Sequence, residues 1–376
     1  MTEVDIPEPD AVEGAPHPRH AATLFGQTAA EQDFLTAYNT GRLHHGWLIT
    51  GPRGVGKATL AWKIARFLLT QPLGHNAGFL DAPAPPDSLK TDPSSPISRR
   101  IAALAEPGLW LCRRPYDTKA ERLKQDITVD EIRKLKSFFN LSATEGGRRV
   151  VIVDAADEMN VSAANALLKI LEEPPQNAFL LLISHRPLRL LPTIRSRCRV
   201  LKCASLGADD MAQALAAAGF DAGQDAGHLA TLSGGSVGEA IRILSHDGLK
   251  LYRLLLHLVS ETPRMERPTA TTLAESCTTK AGLARYDLTL RLIGVLMHRL
   301  ALTGVSGPPL PEATDGEAKA LARLAATPDA ARKWAELAQV LSDRSQHARA
   351  VNLDPASVIL DMLLKIDQLA GSLRAA

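Results

Sequence analysis

The segment "LITGPRGVGKATLAWKIARFLL" (48–69) constrains the fold more than any other part of the chain. It combines a short apolar strand, a glycine-rich turn and a helix with one apolar face, formed by Leu60, Ile64, Phe67 and Leu68. This order is the one that a phosphate-binding P-loop requires. The segment therefore predicts an α/β P-loop module, in which a parallel sheet carries helices on its faces.

The loop itself departs from the P-loop pattern at one position. Gly51, Gly56 and Lys57 fit G-x-x-x-x-G-K-[ST], in which backbone N–H groups bind phosphate oxygens and the lysine reaches the β and γ phosphates. Ala58 stands where a hydroxyl would bind Mg²⁺, and Thr59 is turned about 100° further round the helix. We therefore expect weak binding of ATP or ADP, or none. The candidate nucleotide-binding residues are Gly51, Pro52, Arg53, Gly54, Val55, Gly56, Lys57, Ala58, Thr59 and Asp154.

A second nucleotide motif departs in the same direction. The apolar run at 149–153 ends in Asp154, the position from which P-loop ATPases hold the Mg²⁺ hydration shell. Ala155 follows where an active enzyme usually has an acid that orients the attacking water, and Asp157 and Glu158 come two and three residues later. Phosphoryl transfer depends on positioning, so a displaced acid is a poor substitute. We expect the chain's own ATPase activity to be absent or very weak.

The order of strands, helices and turn residues predicts the domains. Candidate strands lie at 47–50, 109–113, 149–153, 179–184 and 198–203, and a helix is expected at 128–139. We predict a disordered acidic, proline-rich tail at 1–20, a P-loop domain at 21–204 and helical regions at 205–268 and 269–376. The stretch 71–98, rich in Pro, Gly, Asp and Ser, is expected to be an exposed loop.

Charge and cysteine content exclude several classes of function. The chain has 43 basic and 41 acidic residues, so it does not coat nucleic acid by bulk charge. A local group of Arg186, Arg189, Arg195 and Arg199 predicts modest contact with DNA backbone phosphate. The four cysteines form no C-x-x-C pair, which predicts a reduced, cytoplasmic setting and no metal site. The most apolar run, "LRLIGVLMHRL", is interrupted by charge, so no membrane span is expected.

The run "SAANALLKILEEPP", followed by the strand and turn "FLLLISHRPLRLLPTIRSRC", resembles the AAA+ subunits of bacterial sliding-clamp loaders. The resemblance extends over nearly the whole chain. It implies an AAA+ P-loop domain, a small helical lid at 205–268 and a helical collar at 269–376 through which five subunits form an open ring.

Three departures from the family's motor subunits indicate a non-motor member. The tau and gamma motors keep G-K-T, an acid after the strand-ending Asp, and an Arg in the lid motif G-S-x-R, whereas this chain has Ala58, Ala155 and Gly238. The motif Ser196-Arg197-Cys198 is intact, and the resemblance implies that Arg197 reaches a neighbour's ATP as an arginine finger. This combination resembles the delta-prime subunits of DNA polymerase III, non-motor subunits of a DNA-directed DNA polymerase holoenzyme. The four-cysteine zinc module of many relatives is absent here, so the resemblance implies no zinc.

The resemblance also implies partners. These are the tau and gamma motor subunits, the delta subunit, primed DNA through its backbone and, indirectly or weakly, the sliding clamp; no membrane is implied. Two other hypotheses remain open. In one, the chain is a working ATPase, a motor subunit or a ring helicase, in which Thr59 and Asp157 replace the missing groups. In the other, the chain is a structural interaction protein in which Arg197 is idle.

Overall fold

The computed structural model describes residues 8–72, 84–140, 147–279 and 282–375. The chain divides into two compact units. The first comprises Met1–Leu206, Ala216–Gly219 and Ser236–Gly238, and the second comprises Gly207–Leu215, Phe220–Gly235 and Glu239–Ala376. Most of the predicted lid and the whole predicted collar fall in the second unit, and the boundary between them stays a prediction.

A parallel sheet forms the centre of the first unit. In the part of the chain that the structure describes, the strands are β1 Gly46–Thr50, β2 Leu109–Arg113, β3 Tyr116–Asp117, β4 Arg122–Leu123, β5 Arg149–Asp154, β6 Ala178–Ser184 and β7 Arg199–Lys202. Five of them are parallel, in the order β2-β5-β6-β1-β7, and β3 pairs with β4 in a separate antiparallel ribbon. The five predicted strands are confirmed. Their near-continuous apolar runs suit strands that are covered on both faces.

Helices cover both faces of this sheet. They are α1 Thr28–Asn39, α2 Lys57–Thr70, α3 Pro96–Ala102, α4 Val129–Asn140, α5 Val161–Glu172 and α6 Pro192–Ser196. The core against α4 and α5 includes the fully buried Ile132, Leu135 and Leu167. Trp47 and Trp62, from β1 and α2, are also fully buried. The helix predicted at 128–139 is therefore present, with its apolar stripe in the core.

The predicted exposed loop at 71–98 differs from the structure at its end. Helix α3 begins at Pro96, and Ser95 caps it by accepting a hydrogen bond from the Ser98 N–H at 3.2 Å. Ile101 buries completely and holds the short helix against the unit. Residues 73–83 of the predicted loop lie outside the described residues.

The predicted disordered tail also differs from the structure. Residues 8–20 pack against the first unit, with His17 only 8% exposed and a 3-10 turn at Pro18–His20. The reason is that Glu8 and Asp10, which sequence composition assigns to solvent, form ion pairs with Arg113 at the end of β2. Residues 1–7 of the predicted tail lie outside the described residues.

Helices α7 to α15 make up most of the second unit. They are α7 Ala208–Ala217, α8 Ala226–Leu232, α9 Val237–Ser245, α10 Gly248–Ser260, α11 Arg267–Glu275, α12 Gly282–Ser306, α13 Glu317–Leu324, α14 Pro328–Ala350 and α15 Pro355–Ala375. Helix α12 packs against α14, and α11 packs against α15. Leu292, Leu296 and Trp334 are among the apolar side chains buried in this core.

Helix α12 is the one described helix that is long and apolar enough to cross a membrane by length and composition. Its most apolar window is 56% buried inside the protein. Core helices of globular proteins pass the same test, so this helix alone is weak support for a membrane span.

Candidate functional site

The P-loop connects β1 to α2 at the carboxyl edge of the sheet, where open α/β sheets bind their ligands. Gly51, Gly54 and Gly56 have φ values of 141°, 79° and 98°, a region that residues with side chains rarely adopt. A Cβ atom added at Gly51 would lie 2.4 Å from the Cys203 carbonyl oxygen. The sequence thus keeps the tight backbone of a phosphate-binding loop.

Lys57 does not extend freely from this loop. It is 3% exposed, and its ammonium donates hydrogen bonds to the carbonyl oxygens of Gly51, at 2.8 Å, and Pro52. Burial lowers the pKa of Lys57 to about 8. The loop's own carbonyls therefore occupy the ammonium that would otherwise reach the phosphates.

Asp154 ends β5 beside the P-loop, as the sequence predicted. It is 7% exposed. Burial, followed by the negative charges of Asp10 and Glu158, raises the pKa of Asp154 to about 7. A carboxyl group that is protonated about half of the time at neutral pH is a poorer partner for a hydrated magnesium ion than a fully ionised one. The next residue, Ala155, is 3% exposed and offers only a methyl group.

The two acids that could replace the missing one already have partners. Asp157 Oδ1 accepts a hydrogen bond from the His185 backbone N–H at 2.9 Å. Glu158 Oε2 lies 2.7 Å from Arg114 Nε in an ion pair. These contacts fix the two carboxylates to neighbouring backbone and side chain, and they do not favour the hypothesis of a working ATPase.

Together these residues do not fit a magnesium-bound nucleotide. Ala58 offers no ligand oxygen, and the Asp154 carboxyl is shifted toward its neutral form. A Cβ atom added at Gly54 would meet the Ser236 hydroxyl oxygen at 2.2 Å, so this face of the loop is already filled. The glycine-rich backbone persists without the groups that metal-dependent catalysis needs.

Two contributors to the site were missed by sequence reasoning. Gln27 is 3% exposed, and its side-chain amide donates hydrogen bonds to the carbonyl oxygens of Val55 at 3.0 Å and Ala204 at 2.8 Å. It ties the P-loop to the chain that follows β7. His185 follows β6, and its pKa is lowered to about 4 by burial and then by the positive charge of Lys57. Gln27 directly precedes α1 and His185 directly follows a buried strand, and these two positions are the sequence signal that could have identified them.

Arg197 lies at the other edge of the sheet. A Cβ atom added at Gly46, the first residue of β1, would lie 3.2 Å from the Arg197 carbonyl oxygen. The P-loop begins after Thr50, the last residue of β1, and four residue steps along a strand span roughly 13 Å. The structure therefore separates Arg197 from the chain's own P-loop residues.

The Arg197 side chain is held at the surface by local contacts. Its Nη2 lies 2.8 Å from Glu172 Oε1, and its Nη1 donates to the Thr193 carbonyl oxygen at 3.1 Å. Arg197 is 37% exposed and Glu172 48% exposed. Exposed ion pairs of this kind are worth about 0–1 kcal/mol, so another anion can displace Glu172 at small cost.

The predicted group of four arginines is not one patch. Arg186 comes two residues after Ser184, at the carboxyl end of β6, whereas Arg199 begins β7 at the amino edge. The Arg199 guanidinium lies 5.3 Å from the centroid of the Trp47 ring. The structure thus distributes these positive charges over two edges of the sheet.

Comparison with known proteins identifies the family. The family model "DNA polymerase III, delta subunit" matches residues 26–207. The DNA polymerase III subunit delta-prime of Pseudomonas aeruginosa is 35% identical over 260 residues, which cover 65% of this chain and 73% of the relative.

The chain belongs to the delta-prime family of DNA polymerase III subunits.

Other relatives are covered less completely. The delta-prime subunit of Escherichia coli K12 is 34% identical over 170 residues, which cover 45% of each chain. The gamma/tau subunit of Mycobacterium tuberculosis H37Rv is 30% identical over 182 residues, 48% of this chain and 28% of the relative.

Two solved structures are similar at lower identity. A DNA polymerase III gamma-subunit-related protein of Thermotoga maritima has a TM-score of 0.39 at 17% identity and covers 90% of this chain and 100% of its own. The RuvB Holliday junction branch migration motor of the same organism has a TM-score of 0.38 at 16% identity and covers 77% and 80%.

Among the residues that the structure describes, no group of three or more His, Cys, Asp or Glu side chains is placed to hold a metal ion. Cys112, Cys203 and Cys277 are buried and free, and Cys198 is half-buried and free. Burial raises the pKa of the Cys198 thiol to about 12, so the thiol next to Arg197 stays protonated. The expectation that the chain carries no zinc remains a prediction.

Proposed function

We propose that this chain is the non-motor subunit of a DNA polymerase III clamp loader and that it supplies Arg197 to the ATP of a neighbouring motor subunit. Its own site would bind nucleotide weakly or not at all. The observation that carries the proposal is the position of Arg197, half-exposed at the edge of the sheet opposite a P-loop that lacks catalytic groups.

The chemistry of the guanidinium supports this role. An arginine inserted from a neighbour neutralises charge that develops on the γ phosphate and can raise the rate by about 10³–10⁵ at that site. The weak pairing with Glu172 holds the side chain at the surface and leaves it exchangeable. The partners would be tau or gamma subunits and the delta subunit, in the cytoplasm, with primed DNA contacted through backbone phosphates and the sliding clamp contacted indirectly.

A reconstituted complex tests the proposal through DNA-dependent ATP turnover and clamp loading. We expect Arg197→Ala to lower total turnover in part, because only the motor site that faces this subunit loses its finger. Arg197→Lys should restore little, since an ammonium cannot reproduce the forked donors of a guanidinium. Lys57→Ala should leave turnover nearly unchanged, because the chain's own site is idle.

Matched controls separate the finger from general effects of charge. Arg133→Ala removes an exposed, ion-paired arginine from the same unit and should leave the ATPase unchanged. Glu172→Gln removes the ion-pair partner of Arg197 and should keep or raise turnover. A complex in which Lys57→Ala is damaging and Arg197→Ala is silent would contradict the proposal.

A second candidate function is that of a structural interaction protein. The ion pair between Arg197 and Glu172 favours it, because it gives Arg197 a role within its own chain. In that case Arg197→Ala would leave ATPase at the level of the unsubstituted complex while complex formation stays intact.

A further inference from the structure

The acidic segment at residues 8–17, called the N-terminal cover below, is fastened to the end of β2. Arg113 donates to Asp10 Oδ1 at 2.9 Å and to Glu8 Oε1 at 2.8 Å. His17 Nε2 lies 2.9 Å from Asp10 Oδ2, and the Asp10 side chain is 2% exposed. This network fixes a segment whose composition alone would leave it in solvent.

A second set of contacts fastens the cover to the P-loop helix. The His17 ring meets the Trp62 ring of α2 edge-on, with centroids 6.1 Å apart. Arg66, also on α2, holds the chain just beyond the cover by donating to the carbonyl oxygens of Arg19 and Ala21, each at 2.8 Å. The cover is therefore held at both ends, by β2 on one side and by α2 on the other.

Between these anchors the cover passes the nucleotide motifs. Arg113, which binds Asp10, is paired in register with Asp154 across β2 and β5. A Cβ atom added at Gly238 would lie 3.2 Å from Val12 Cγ2, and the Gly238 N–H donates to the Gly54 carbonyl oxygen at 3.3 Å. The cover thus lies over the same edge of the sheet as the P-loop.

The carboxylates of the cover compete with a nucleotide for a nearby cation. Burial alone would raise the pKa of Asp10, but the hydrogen bond and charge of His17 and the charge of Arg113 bring it below its ordinary value, so Asp10 is ionised. Its carboxylate, like that of Glu8, is then bonded to Arg113 at the edge where Lys57 is bonded to its own loop. An incoming polyphosphate would therefore find Arg113 and Lys57 already bonded to oxygens of the protein.

We propose that residues 8–17 are an autoinhibitory cover that keeps nucleotide out of this subunit's P-loop, an inference that rests on the proposed function in which this site is idle. The cover would make the subunit insensitive to the concentrations of ATP and ADP.

Substitutions in the full-length chain test the cover. The double variant Glu8→Gln, Asp10→Asn removes two charges and keeps the chain length. Titration with N-methylanthraniloyl-ADP, followed by fluorescence anisotropy, should give at least about tenfold tighter binding than for the unsubstituted chain. Adding Lys57→Ala to the double variant should abolish the gain, because the ligand would bind at the P-loop. Glu13→Gln, a matched loss of an exposed acid in the same segment, should change nothing.

A second variant can test the cover if the double variant does not fold. Arg113→Gln releases both carboxylates from β2 and should speed amide hydrogen exchange at Ala11 and Ala15, whose N–H groups are bonded within the cover. The inference is overturned if folded double and Arg113 variants bind the probe no better than the unsubstituted chain. That result would leave the proposed function of Arg197 intact. Conversely, unchanged ATP turnover in Arg197→Ala, together with a clear gain of probe binding in the double variant, would reject the proposed function and support the cover.

Discussion

A buried ion pair in the second unit gives a stability prediction that the structure makes quantitative. Glu317 is fully buried, and its two oxygens accept hydrogen bonds from Arg299 Nε and Nη2, each at 2.8 Å. It also accepts from the Ala313 N–H at 2.7 Å and from the Tyr252 hydroxyl. Arg299 Nη2 donates further to the carbonyl oxygens of Pro309 and Pro311 at 2.9 Å. One carboxylate therefore satisfies four donors and neutralises one buried cation.

Glu317→Ala removes this carboxylate and leaves the Arg299 charge without a counter-ion. Breaking a buried pair from one side destabilises a protein by about 3–5 kcal/mol. With a urea m-value of about 2 kcal/mol/M, the midpoint of the helical unit's unfolding should fall by about 2 M. Tyr252→Phe removes only one neutral donor and should cost about 1 kcal/mol.

The assay is urea unfolding of the full-length chain followed by far-ultraviolet circular dichroism. Asp315→Ala is the control, since that side chain lies two residues before Glu317 and is 97% exposed, and its loss should change stability by less than about 0.5 kcal/mol. A Glu317→Ala midpoint close to that of Asp315→Ala would refute the reasoning and would mean that water reaches Arg299 in the folded state.

Three further outcomes are expected. The pKa of Asp154 is raised from 3.8 to about 7, so the folded state favours its protonated form, and this contribution to stability is lost as pH rises through 7. Asp154→Asn should therefore stabilise the protein by up to roughly 4 kcal/mol at pH 8. The gain should become progressively smaller toward pH 4, as measured by thermal melts. Gln27→Ala strands buried backbone groups and should lower the free energy of unfolding by about 1–3 kcal/mol, whereas the exposed Gln339→Ala should be nearly neutral by the same melts. Arg199→Ala should weaken DNA binding by the complex equally for all sequences and reduce the slope of log K against log salt by about 1; a base-specific change would contradict backbone contact.

The sequence was sufficient for the sheet because each strand is a local signal. The runs that precede Asp154 and Ser184 are apolar at every buried position, and a parallel strand covered on both faces requires this pattern. The glycines of the P-loop are a local signal in the same way, because the backbone conformation of that short segment requires them. Where propensity and fold agree in one short segment, the prediction was confirmed.

The sequence was insufficient where distant residues decide the outcome. Glu8 pairs with Arg113, which is 105 positions away, and Gln27 binds Ala204, which is 177 positions away. Composition alone places an acidic, proline-rich stretch in solvent, because it does not show that another element of the fold supplies a cation to pair with the acids. The pairing of Arg197 with Glu172 was missed for the same reason, although both residues were in view as motif members.

The opposite positions of Arg197 and the P-loop on β1 give this subunit a direction. Consider a row of subunits in which each extends an arginine to the ATP held by the next. A member that extends an arginine but holds no ATP of its own offers nothing to the arginine of the subunit on its other side. On the proposed function, this chain therefore belongs at a terminus of the row. On the same proposal the row would be finite, and the chain's own lack of a working ATP site would determine where the row ends.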